Sequence, residues 1–290
     1  VWLSEGGVSA EALKLLDEFG ITWSASGEGV WNNSRFLSGL EANGEEARRS
    51  LFCANTLEGC ETRLFFRDDG LSDMIGFEYQ QWDARDAAAD FKQHLSNIAN
   101  YLGDDGGDHV VSVILDGENA WEYYPDNAWH FLGALYDQLS ESEQIRTITF
   151  NEALDICPPQ PLPALCAGSW VYGTFSTWIG EEDKNRAWDL LIEAKKTYDT
   201  VTAKRKFDPS HRARLERQLA ICEGSDWFWW FGDYNPADSV SDFERLFRVH
   251  LSNLYSMLNR QPPEYLSHTF TRGGGEPAAG GVMRRGQFTG

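Results

Sequence analysis

Along the first half of the chain, apolar residues recur in short blocks that alternate between two spacings. Leu13 and Leu16 share one face of a segment that opens at Ser9 and stops at Gly20, which predicts a helix over 9–19. Phe91, Leu95, Ile98 and Leu102 fall at helical spacing and predict a helix over 84–102, with another over about 126–140. Between these lie apolar runs of strand length at 21–25, 62–67, 110–115 and 145–150, and residues 1–3 read as the end of a strand. The run VVSVIL at 110–115 is continuous and β-branched, as a strand covered on both faces should be. Residues 26–61 are polar and glycine-rich and read as a long loop with some helix. Strand followed by helix, repeated to about residue 155, argues for parallel strands joined by helical crossovers.

The pattern changes at the proline-rich stretch CPPQPLP (157–163). Beyond it helices are expected near 183–204, 209–222 and 239–259; the last carries Phe243, Phe247, Leu251, Leu254 and Leu258 on one stripe. From about residue 260 the chain turns loop-like, and seven glycines among residues 273–290 suggest a flexible tail or linker. The expected domains are therefore a catalytic part over 1–156, a helical part over 157–260 and the tail over 261–290.

Charge narrows the partners. The formal net charge of −20 repels nucleic-acid phosphates and anionic lipid, so neither nucleic acid nor membrane is expected, and a neutral substrate suits the surface better. Five cysteines, at 53, 60, 157, 166 and 222, form no CxxC pair and read as reduced thiols, which favours a reducing, cytoplasmic compartment. No metal or other cofactor is expected: the acids and His109 near residues 104–109 fit no calcium-loop spacing. His94, His130 and His250 fall within helices, and His250, beside Leu251, reads as a hydrogen-bonded interior histidine. The 12 tryptophans cluster among polar residues, as in DWFWW at 226–230; core packing explains many of them, and stacking on the apolar faces of sugars could explain others.

Three acidic motifs sit where predicted strands end: WLSE at 2–5, FFRD at 65–68 and ILDGEN at 114–119. Functional groups of parallel α/β proteins collect at such ends. Glycoside hydrolysis needs two carboxyl groups across one bond, one ionised and one protonated. Each acid also has a plainer reading. Glu5 suits the N-terminus of the following helix, Asp116 before Gly117 suits a turn, and Arg67, Asp68 and Asp73 suit an ion pair with a loop cap.

At these motifs the chain resembles glycoside hydrolase family 57, which includes α-amylases, amylopullulanases and 4-α-glucanotransferases. The matching stretches are WLSEGGVS (2–9), FFRDDGLSDMIGFEYQQW (65–82), ILDGENAWEYYPDN (114–127), GSWVYGTFSTWIGEEDKNRAWDLL (168–191) and EGSDWFWWFGD (223–233). The resemblance implies the C-terminal part of a (β/α)7 barrel followed by an α-helical bundle that completes the cleft. It implies a glycosidase or glucanotransferase that works on α-glucans through a covalent glycosyl-enzyme, with Glu5 as nucleophile and Asp116 as acid/base, their carboxyls about 5–5.5 Å apart. The family's fifth conserved region falls on Asp226 and Trp227. Arg67, Asp68, Trp121, Trp170 and Trp178 are the further candidates for contact with sugar, and Glu118 is the rival to Asp116. Ser4 stands where many relatives have proline.

The family's first two conserved regions, including its His-Gln-Pro motif, have no counterpart here. The chain is therefore expected to lack the first barrel strands and, taken alone, to be poorly active. The competing function is a non-catalytic α-glucan-binding fragment. A metal-dependent deacetylase or mannosidase ranks lower, because no HxxxH and no strand-end histidine is found.

Overall fold

Ser9 accepts a hydrogen bond from the amide of Ala12 and so caps helix α1 (Ala10–Glu18), which ends before Gly20 at φ +66°. This opening belongs to a computed structural model that describes residues 1–40, 48–103, 107–117 and 121–275. The chain divides into two compact units, Val1–Thr174 and Phe175–Gly290.

The first unit is mixed α/β. Its elements are β1 (Trp23–Ser26), α2 (Glu28–Leu37), β2 (Asn55–Leu57), β3 (Arg63–Phe66), α3 (Asp69–Asp73), α4 (Ala84–Leu102), α5 (Trp129–Ser140), α6 (Phe150–Ile156) and β4 (Gln160–Leu162). The sheet order is β1-β3-β2-β4, with β1/β3 and β2/β4 parallel and β2/β3 antiparallel. Alternate residues of β3 serve two cores. Leu64 and Phe66 join Val8, Val30, Trp31, Phe52 and Leu162, while Phe65 joins Ala25, Cys53, Val110, Ala153 and Cys157. The sheet is therefore covered on both faces. A third core joins Leu71, Ile75 and Tyr79 to Phe91 of α4 and to Phe131, Leu135 and Leu139 of α5.

Several expected strands differ. Residues 110–115 run extended beside the end of β3 but meet it at a single parallel bridge, Arg67↔Ser112. Their other amides turn elsewhere: Val110 N–H donates to the Phe52 carbonyl and Ile114 N–H to Ser72 Oγ. Residues 145–149 form no strand, and Phe150 opens α6 under the capping box of Thr149 and Glu152. Residues 1–3 form no strand either, and Val1 instead donates its terminal amine to the Trp23 carbonyl. Two strands arise where none was expected, β2 within the polar 26–61 stretch and β4 within the proline run. Pro161 is tolerated because β4 is an edge strand.

The second unit is built from α7 (Glu182–Lys204), α8 (Pro209–Cys222), α9 (Asp226–Trp230) and α10 (Ala237–Met257). The three long helices lie close to their expected bounds. Asp208 caps α8 through the amide of His211, with Pro209 at the first helical position. Residues 261–275 pack on this unit. Arg248, paired with the buried Glu244 at 2.6 Å, donates to the Leu266 carbonyl, and the Phe270 amide donates to Glu244. The remainder of the expected tail, 276–290, lies outside the described residues, as do Asp104, Asp105, Glu118 and Asn119.

Candidate active site

Glu5 lies in a 3-10 turn (Ser4–Gly6) with its backbone at φ +55°, ψ +27°. A left-handed glutamate is uncommon and costs about 1–2 kcal/mol, so its surroundings must impose it. They do so from three sides. Ser26 Oγ, at the end of β1, donates to the Gly6 carbonyl at 2.6 Å. The Trp170 amide donates to the Glu5 carbonyl at 3.1 Å, and Val8 bridges Gly168. Gly27, next after β1, touches the Trp170 backbone so closely that a Cβ there would lie 2.7 Å from the Trp170 Cα. Held in this way, Trp170 donates its indole N–H to Glu5 Oε2 at 3.1 Å and meets Trp2 edge-on at 5.3 Å.

The Arg67 guanidinium lies 5.5 Å from the Trp170 ring centroid, within cation–π reach. Arg67 is buried, with 7% of its surface exposed, and its donors are committed. Nε donates to the Ile114 carbonyl at 2.8 Å, and its two terminal nitrogens reach Asp69 at 2.8 Å and Asp73 at 2.7 Å. Asp69 and Asp73 stand one helical turn apart on α3, so both face the same fork. Asp116 follows Ile114 by two residues and is half-buried. An unbroken chain of contacts thus runs from the Glu5 carboxylate through the Trp170 indole and the Arg67 guanidinium to the segment that carries Asp116. All of these groups lie beyond the carboxyl ends of β1 and β3.

Asp68 plays a structural part. It is buried, caps α3 through the Leu71 amide at 2.8 Å and lies 3.6 Å from Arg48. Its own N–H donates to the Ser112 carbonyl, beside the bridge. Trp121 meets Tyr124 edge-on at 5.7 Å and packs against the α4–α5 core.

In the second unit, Trp178 is buried against Trp229, with ring centroids 5.6 Å apart, and its carbonyl accepts the Trp188 indole N–H. Trp227 donates its indole N–H to the Ile221 carbonyl at 2.8 Å, and its ring lies among Phe243, Phe247 and His250. Asp226 is exposed at the first position of α9. His250 bonds the side chain of Gln218.

The family model for glycosyl hydrolase family 57 matches residues 1–165, more than half of the chain and wholly within the first unit. The chain belongs to glycosyl hydrolase family 57. No curated protein matches it by sequence. Among solved structures it is similar to a family 57 branching enzyme from Thermococcus kodakaraensis crystallised with glucose (TM-score 0.65, 14% identity, covering 84% of this chain and 53% of that one). It is also similar to an α-amylase from Thermotoga maritima (0.65, 16%, 92% and 61%) and to a 4-α-glucanotransferase from Thermococcus litoralis (0.58, 18%, 88% and 41%). At these identities the likeness is one of fold, and the chain spans less than two thirds of each of these structures.

Two acids of this family 57 chain escaped the sequence reading. Glu28 and Asp69 exchange backbone hydrogen bonds: the Asp69 amide donates to Glu28 Oε2 at 3.2 Å, and the Glu28 amide to Asp69 Oδ1 at 3.5 Å. Burial raises both carboxyls above the ordinary range, opposed by Arg48 at Glu28 and by Arg67 at Asp69. Asp69 had a signal, its helical spacing to Asp73. Glu28 had none, because its partner is 41 residues away. Among the described residues, no three His, Cys, Asp or Glu side chains gather as a metal site, and no helix is long and apolar enough to cross a membrane.

Proposed function

We propose that this chain carries the catalytic carboxylates of a glycosidase or transglycosylase that acts on α-glucans and retains anomeric configuration, with Glu5 as nucleophile and Asp116 as acid/base. The observation that carries the reading is the run of contacts from Glu5 through Trp170 and Arg67 to Ile114, two residues before Asp116. The named activities of the three structural neighbours support the substrate class.

In this reading a Glu5 carboxylate oxygen bonds to the anomeric carbon as the glycosidic bond breaks, and the departing oxygen takes the proton of Asp116. Asp116, now ionised, then removes a proton from water or from a glucan hydroxyl, which releases the glycosyl ester. Hydrolysis and transfer differ only in that acceptor. The Trp170 indole N–H fixes one oxygen of Glu5, so the carboxylate is oriented before substrate arrives. Arg67 and Asp68 act as supports: Arg67 holds Ile114 and the two acids of α3, and Asp68 caps that helix. Trp121 and Trp170 in the first unit, and Trp178, Asp226 and Trp227 in the second, stay candidates for direct sugar contact, since an indole whose N–H has a protein acceptor still offers its ring face.

Glu5→Gln and Asp116→Asn, measured on an aryl α-glycoside and on a maltooligosaccharide, test the roles. Glu5→Gln is expected to abolish turnover on both while leaving glucan binding within about twofold. Asp116→Asn is expected to slow the maltooligosaccharide severely, to spare glycosylation by the activated aryl substrate, and to recover with azide. Equal loss on both substrates without azide rescue would overturn the assignment of Asp116.

A second reading is α-glucan binding without turnover, which the tryptophans set among polar residues would serve equally well. Calorimetric binding of maltooligosaccharide with no new reducing ends and no transfer product would select it.

A further inference from the structure

Strands β2 and β4 pair in parallel with Asn55 opposite Gln160, and the Gln160 amide donates to the Ala54 carbonyl at 2.7 Å. Cys53 lies two residues before the first pair and Cys157 three before it, at the same end of the two strands. Parallel neighbours lie about 4.8 Å apart, within the Cα separation of about 4.4–6.8 Å that a disulfide spans. The two side chains share one buried cluster with Ala54, Phe65 and Ala153, and the Cys53 thiol donates to the Arg49 carbonyl at 3.5 Å. His109 Nδ1 lies 3.8 Å from Cys53 Sγ. His109 itself is half-buried, so the cluster reaches the surface there. All five cysteines are thiols in the structure.

From this juxtaposition of Cys157, Cys53 and His109 we propose a dithiol site that a hydroperoxide converts to a Cys53–Cys157 disulfide. The Cys157 thiolate attacks one peroxide oxygen and the O–O bond breaks. Cys157 becomes a sulfenic acid, and the displaced hydroxide leaves as water after protonation. Cys53 then loses its proton to His109 and attacks the Cys157 sulfur, expelling the second oxygen as water. Two thiols and one hydrogen peroxide give one disulfide and two waters, with the two electrons coming from the sulfurs. The neighbouring Cys53 thiol and the Ala54 amide hold the Cys157 thiol well below the ordinary thiol range despite its burial, which favours the attacking thiolate. In a reducing compartment such a pair cycles rather than staying oxidised. The site borders the candidate active site, because the carbonyl of Phe52, next to Cys53, accepts from Val110 at the start of the segment that leads to Asp116.

The full chain, treated with one equivalent of hydrogen peroxide without reductant, is alkylated in denaturant and mapped by mass spectrometry without reduction. The expected result is a peptide joining Cys53 to Cys157, two hydrogens lighter than its parts. Alkylatable thiols should fall by two from the five in the sequence and return with dithiothreitol. In Cys53→Ser, which keeps a hydrogen-bond donor beside Cys157 but cannot close the disulfide, dimedone should label Cys157. Thiol loss without that linked peptide, linkage through Cys60, Cys166 or Cys222 instead, or no thiol loss in excess peroxide would each overturn the proposal. If a variant fails to fold, the wild-type map decides alone.

Discussion

Glu5 combines a left-handed backbone with a carboxylate fixed by an indole, and the contacts that impose the first also supply the second. Gly27 is where this arrangement is most exposed to substitution. A methyl there would press on backbone rather than on a movable side chain, with Trp170 Cβ 3.0 Å away. Gly27→Ala is expected to cost about 1–3 kcal/mol and, by displacing Trp170, to lower kcat more than it raises KM; denaturation and steady-state kinetics check the two parts. Arg67 gives a second test. Arg67→Lys keeps a charge but loses the fork that joins Asp69, Asp73 and the Ile114 carbonyl. It is expected to cost about 2 kcal/mol of stability, while Arg67→Met, which leaves Asp69 and Asp73 without their cation, costs more; equal stability of all three forms would refute the clamp. The acids at 5, 68 and 116 stood out in the sequence because each closes an apolar run. Glu28 did not, since nothing local distinguishes a carboxylate whose partner is remote in the chain.

At the scale of elements, helices were legible where cap and stripe agree, as at Ser9 for α1, at Asp208 with Pro209 for α8, and along the apolar face of α10. The 110–115 run misled because a strand is defined by its neighbour. Its apolar side chains are buried as their composition demands, but its amides find a carbonyl of another segment and a serine hydroxyl instead of a ladder. β4 was hidden by the reverse effect, since proline argues against a strand except at an edge. Helix α9 depends on buried groups that no local pattern reveals. Lys184, 1% exposed, donates to the Phe228 carbonyl at 2.6 Å, and Asn235 caps the carbonyls of Trp229 and Trp230. Burial lowers the Lys184 ammonium to about 8 from an ordinary 10.5, with Glu181 opposing. Between those two values the native chain has released a proton that the unfolded chain still holds, so this group's contribution to stability rises with pH across that window and is flat below it. The advantage of wild type over Lys184→Met in chemical denaturation is expected to grow from pH 8 to 10.5 by up to about 3 kcal/mol. A difference independent of pH would show that Lys184 is neutral throughout or solvated.

For the whole molecule, 45 acidic residues against 25 basic ones make self-repulsion a general term. Raising ionic strength from about 0.01 to 0.15 M shortens the screening length from about 30 to 8 Å. The melting temperature is expected to rise by a few degrees, which differential scanning fluorimetry reads directly; a fall would mean that the ion pairs outweigh the net charge. The division at Thr174 leaves the family match and the Glu5–Arg67–Asp116 run together in one unit. Within that unit, the Glu5–Trp170 bond joins residues 165 apart in sequence. A contact closing so long a loop has to wait until the intervening chain has condensed. The order of events during refolding follows from this: far-UV circular dichroism, which follows the locally capped helices, should recover first, and protection of the Trp170 indole proton from solvent exchange should come last. The Glu5 carboxylate is then the latest part of the unit to acquire its shape, and the first to lose it when the chain begins to open.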